Sequence, residues 1–100
     1  MARFEEHVRA ALDSLPSDVA RALENVAVVV EDENPEEPDL LGLFQEEPYL
    51  PAKIAIYRRP LERAFPDPDE LEAEIRITVL HELGHYFGID EDRLEELGYD

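Results

Sequence analysis

The sequence predicts an α+β fold, and three observations carry that expectation. Apolar residues recur at helical spacing near the start of the chain, three short strand-like runs occupy its middle, and a long helical pattern with a strong start signal fills its second half. The expected order is an N-terminal helix, a small three-stranded sheet, a long helix and a short C-terminal helix, in one domain spanning residues 1–100. A chain of 100 residues buries one modest core, and 44 % hydrophobic residues suffice for it despite a net charge of −17.

Each element has its own signal. Phe4, Val8, Ala11, Leu12 and Leu15 mark one face of a helix that Pro16 ends, and Ser17 offers an N-cap for a second short helical segment through Leu23. His7, between Glu6 and Val8, reads as a surface residue on the exposed side of the first helix. Val26-Ala27-Val28-Val29-Val30 is a compact, mostly β-branched run that fits a buried strand. The following segment from Glu31 to Asp39 has two prolines and six acids and reads as a loop, without the spacing or turn glycine of a calcium site. Leu40 to Gln45 is a second strand, better suited to a sheet edge because of Gly42 and the proline-flanked acidic runs around it. Lys53 to Arg58 is a third, with Ile54 and Ile56 alternating against Lys53, Ala55 and Tyr57. Arg59-Pro60 ends it, leaving Leu61 to Phe65 for one helical turn.

The long helix starts at Asp67-Pro68-Asp69-Glu70, which combines an Asp N-cap, a proline at the first helical position and a glutamate three residues after the cap. It should run to about Phe87, where Gly88 can take the left-handed conformation that closes a helix. Beyond it, Asp90 or Asp92 can cap a last short helix carrying Leu94 and Leu97.

Composition excludes several function classes. With 26 acidic side chains against 9 basic ones and a pI near 4.3, the chain repels phosphate backbones and anionic lipid head groups, so neither nucleic acid nor a membrane is an expected partner. The same field favours metal ions and basic polypeptides. There is no cysteine, which removes disulfides, iron–sulfur clusters and thiolate zinc sites. Met1 to Leu15 carries charges throughout rather than the apolar core of a signal peptide, and no stretch is long and apolar enough to span a bilayer, so the cytoplasm is the expected location.

The chemistry concentrates in VLHELGHYFGID, Val79 to Asp90. His81 and His85 are four residues apart, so on a helix their rings project from one face one turn apart and can share one tetrahedral ion. Glu82 lies beside that pair and can reach a water on the ion rather than the ion itself. This is what a zinc hydrolase requires: the ion lowers the water's pKa, and a nearby carboxylate takes its proton and later returns one to the leaving amine. A helical wheel adds a second argument. Ile77, Val79, Leu80, Leu83, Gly84 and Phe87 cover most of the circumference, whereas Thr78, His81, Glu82 and His85 fall within an arc of about 100°, with Tyr86 at its border. Polar groups on a core helix are costly unless paired or metal-bound, so the arc predicts something polar in front of it. Two histidines leave a zinc ion under-held. Gly88 allows the chain to fold back, which makes Asp90, Glu91 and Asp92 candidates for the third ligand.

HELGHYFGIDEDRLEELGY, with IAIYRRPLERAF before the helix, resembles the zincins, and most closely the small bacterial zincin-like proteins described as minimal zinc metallopeptidases with an HExxHxxG motif. The resemblance implies a minimal zincin-like fold over most of the chain, one zinc ion, His81 and His85 as ligands and Glu82 as general base. Glu91 lies ten residues after His81 with a glycine at the seventh position, where metzincins place a third histidine, and by that analogy ranks ahead of Asp90 and Asp92. The chain departs from the metzincins in having no methionine apart from Met1, hence no methionine-bearing turn, and from larger zincins in having no C-terminal subdomain to wall a cleft. An open site with a weak substrate grip is expected. The implied function is a zinc-dependent metallopeptidase hydrolysing a peptide or protein substrate; the acidic charge would suit a basic one, and an extended peptide could add to the Leu40–Gln45 edge. Tyr86 and Tyr99 are oxyanion-donor candidates by inventory only, and each reads better as a structural residue. The alternative keeps the metal without the enzyme, as a non-catalytic binding module acting through protein interaction. Oligomeric state is not legible.

Overall fold

The computed structural model describes residues 3–87, with side chains through residue 84. Helix α1 (Phe4–Asp13) is followed by α2 (Ser17–Ala22), a 3-10 turn (Leu23–Asn25), strands β1 (Val26–Glu31), β2 (Gly42–Gln45) and β3 (Ala52–Tyr57), and helices α3 (Arg58–Ala64) and α4 (Pro68–Phe87). The strand order is β1-β3-β2, with β1 parallel and β2 antiparallel to β3. This is the α+β architecture expected, and β2 is an edge strand as its glycine suggested. The short C-terminal helix, the Gly88 closure and the caps at Asp90 and Asp92 lie outside the described residues.

The register puts Val26, Val28, Val30, Ala52, Ile54, Ile56, Gly42 and Phe44 on one face of the sheet. Helix α4 packs on that face and α1 packs against α4. Phe4, Val8 and Ala11 of α1, Ile54 and Ile56 of β3, Leu61 of α3 and Leu71, Ile75, Val79 and Leu83 of α4 form the core, several of them with no exposed surface. Asp67 starts α4 as its sequence requires: one carboxylate oxygen accepts the backbone N–H groups of Asp69 at 2.9 Å and Glu70 at 3.2 Å.

Several local expectations change. Val26–Val30 is less buried than its apolar run suggests: β1 is an edge strand whose Val28, Val29 and Val30 are half-buried, and β3 holds the centre. An apolar run shows that a strand is covered without showing by what, whereas β3 is covered on both faces, with Ala55 and Tyr57 also buried and the Tyr57 hydroxyl accepting from Asn34 Nδ2 at 3.0 Å. Strand β2 begins at Gly42 rather than Leu40, because Leu40 N–H is used in a turn to Glu37 C=O. Helix α3 begins at Arg58, taking Pro60 into its first turn, where the missing N–H has no helical partner to lose. Ser17 is the first residue of α2 and makes no side-chain cap.

His7 is the clearest correction. Its side chain is only 12 % exposed and its Nδ1 lies 2.7 Å from Glu72 Oε1 on α4, so it joins the two helices instead of facing solvent. Position 7 lies three residues after Phe4 and four before Ala11, within the buried stripe.

The acidic loop between β1 and β2 is held by arginines of α3. Asp32 accepts from Arg58, Glu33 from Arg59, and Asp39 lies 3.7 Å from Arg63. The hydrogen bonds Arg58 donates to Asp32, and then to Glu62, push its pKa further up, so its charge is constant. Asn34 Oδ1 shapes the loop by accepting the N–H groups of Glu36 and Glu37. Arg58 and Arg59 thus fasten the segment that delivers the chain to β2. Among the described residues, no helix is long and apolar enough to cross a membrane.

Candidate active site

Helix α4 carries positions 81 and 85 one turn apart, against the outer edge of β2. The helix comes unusually close to the strand at Gly42. A Cβ there would meet Thr78 Cγ2 at 2.5 Å and the Ala55 carbonyl oxygen at 3.2 Å. Gly42 is therefore a close-approach glycine, required by sterics alone. Thr78 is buried and donates its hydroxyl to the Glu74 carbonyl one turn back, at 2.7 Å, leaving its methyl toward the strand.

Four residues further along, Glu82 Oε1 accepts the Phe44 backbone N–H at 2.8 Å. The β2–β3 register explains why that N–H is available to a helix. Tyr57 N–H bonds to Leu41 C=O, so Leu41 and Leu43 turn their backbone groups toward β3, and Gly42 and Phe44 turn theirs outward. The edge strand therefore presents Phe44 N–H to α4. A groove of about 340 Å³ opens beside this contact, lined by residues 39–42 of the loop and strand and by Thr78, His81 and Glu82 of the helix.

Of the residues singled out from the sequence, His81 and Glu82 line one groove, both part-buried. The side chain of His85 and residues Asp90, Glu91 and Asp92 lie outside the described residues, as do the side chain of Tyr86 and all of Tyr99. Among the described residues, no three His, Asp or Glu side chains converge on a common point. What is described fits zinc in donor chemistry: an imidazole on the groove wall, a carboxylate next to it in sequence, and no thiol in the chain.

The polar arc of α4 has a more specific explanation than an ion alone. Thr78 is satisfied by its own helix, Glu82 binds the strand backbone, and His81 is also engaged, so polar partners on the protein account for much of the arc among the described residues. The case for a metal rests on the one-turn spacing of the two histidine positions. Sequence reasoning missed the Phe44 amide, which no side-chain motif encodes, and the role of Gly42, whose only signal was a glycine inside an apolar strand.

No curated protein matches the chain. Residues 23–99 match the family model described as Zincin-like metallopeptidase, a stretch that takes in the whole sheet, α3, α4 and the HELGH motif. Zincins in general use zinc, which agrees with the donor chemistry of the groove. With well over half of its length matched, the chain belongs to the zincin-like metallopeptidase family.

Proposed function

We propose that the protein is a zinc-dependent peptidase that hydrolyses a peptide bond at the groove between α4 and the outer edge of β2. The observation that supports this best is the placement of His81 and Glu82 on one groove wall with the Glu82 carboxylate fixed against the strand. His81 and His85 would hold one zinc ion, with Glu91 ahead of Asp90 and Asp92 as third ligand. Bound zinc supplies Lewis acidity that brings the pKa of a water toward neutrality. Glu82 takes the proton from the attacking water and passes it to the leaving amine. The net charge of −17 draws basic polypeptides toward the groove, in an expected cytoplasmic setting, and an extended peptide would use the outward backbone groups of β2 that remain beside the Phe44 N–H held by Glu82.

A second reading, a non-catalytic metal-binding module, draws on the same hydrogen bond, since Glu82 has a structural use whether or not it acts as a base. One experiment separates the two. Elemental analysis of the wild type and of His81→Ala is followed by a peptide-library digest with the wild type and Glu82→Gln. The peptidase reading expects one zinc per chain, lost in His81→Ala, and cleavage by the wild type only. Zinc without cleavage by either form supports the module. Protein that cannot be loaded with zinc removes both.

A further inference from the structure

We propose that the main-chain amide of Phe44 is the positioning group for the Glu82 base, an assignment that rests on the peptidase reading above. A glutamate side chain has three rotatable bonds, and a base acts only if its carboxylate meets the water at a defined place. Here one oxygen, Oε1, is committed to a backbone N–H 2.8 Å away on the central part of β2. The bond selects the other oxygen, Oε2, as the one that takes the proton. It also stops the carboxylate from turning toward His81, the neighbouring ligand position, where it would compete for the metal.

The device is built from three features on two elements far apart in sequence, β2 and α4. The register of β2 turns Phe44 N–H outward, away from β3. Gly42 lets α4 approach closely enough for Glu82 to reach that amide, since a Cβ at 42 would collide with Thr78. The Thr78 hydroxyl, bonded to Glu74 C=O, fixes the rotamer that leaves its methyl in the only space Gly42 provides. A backbone donor holds the carboxylate without adding a charge beside it. The arginines Arg58, Arg59 and Arg63 are engaged with Asp32, Glu33, Asp39 and Glu62.

The test compares Phe44→Pro with Phe44→Ala. Both lose the ring, and only proline loses the N–H. The amide faces outward on an edge strand, so proline there takes no ladder bond from the sheet. With a peptide identified in the library digest, Phe44→Pro should retain zinc at the level of Phe44→Ala, keep KM within about twofold of it and lower kcat by roughly tenfold or more, as loss of an oriented general base demands. Equal kcat in the two variants, or a change confined to KM, overturns the assignment while leaving the peptidase reading intact. Zinc-loaded wild type that cleaves nothing overturns both. A second measurement needs neither metal nor a stable proline variant. In zinc-free protein, hydrogen exchange at the Phe44 amide should be at least about tenfold faster in Glu82→Ala than in wild type, with the amides of the β2–β3 ladder unchanged. Equal exchange at Phe44 overturns the assignment.

Discussion

Replacing Gly42 with alanine tests how the groove is assembled. The new methyl would lie 2.5 Å from Thr78 Cγ2, whereas the atoms' attraction is optimal at about 3.5–4.0 Å, so strand and helix must part by about 1 Å. Overpacking of that kind costs about 1–3 kcal/mol. The same movement stretches the 2.8 Å bond from Phe44 to Glu82 beyond the range of a hydrogen bond. A hydrogen bond to a charged group is worth about 1.5–3 kcal/mol, and the lower end applies because Glu82 is part-exposed. Together the two effects predict a loss of about 2.5–4.5 kcal/mol. With a urea m-value of about 1–3 kcal/mol/M, the unfolding midpoint should fall by about 1–2 M. Thr78→Ser removes the colliding methyl and keeps the hydroxyl for Glu74, so Gly42→Ala/Thr78→Ser should recover at least about 1 kcal/mol relative to the sum of the single changes. Urea unfolding of the four proteins, followed by circular dichroism, measures the cycle. A Gly42→Ala midpoint equal to wild type, or strict additivity in the double variant, would refute the close-approach argument.

Two further changes test the scaffold that carries the groove. Asp67→Ala removes the acceptor for the Asp69 and Glu70 amides at the start of α4 and should cost about 1 kcal/mol by urea unfolding; Asp67→Asn should retain most of the wild-type stability, and equal losses would count against capping as the cause. His7→Ala should cost about 1–2 kcal/mol, because it empties a nearly buried position and leaves Glu72 without its partner at 2.7 Å. An unchanged midpoint would restore the surface reading of His7.

How much of this was legible in the sequence depended on how far apart the interacting groups lie. The start of α4 was readable from Asp67 to Glu70 because the cap and its N–H partners are two and three residues apart. The edge role of β2 was readable because a glycine and flanking prolines are poor material for a strand paired on both sides. His7 is not placed by its sequence neighbours Glu6 and Val8, because on the helix it lies between the buried Phe4 and Ala11. Which strand takes the centre of the sheet is not legible in the sequence. Both Val26–Val30 and Ala52–Tyr57 are apolar runs, and only strand pairing decides which of two such runs is flanked on both sides. The acidic segment reads only as a loop in sequence, yet Asp32 and Glu33 pair with Arg58 and Arg59, 26 residues away in each case.

The candidate site divides along the same line. The sequence by itself determined that a helix would carry His81, Glu82 and His85, and that His81 and His85 would fall one turn apart, because helical periodicity is a property of the local backbone. It also determined the family, through the matching stretch from residue 23 to residue 99. Only the tertiary structure decided what that helix faces. Phe44 donates to Glu82 across 38 residues, through a backbone group common to nearly every amino acid, and Gly42 admits Thr78 through the absence of a side chain. A main-chain amide carries no letter of its own in a sequence, so where it points is fixed by strand register and helix packing alone.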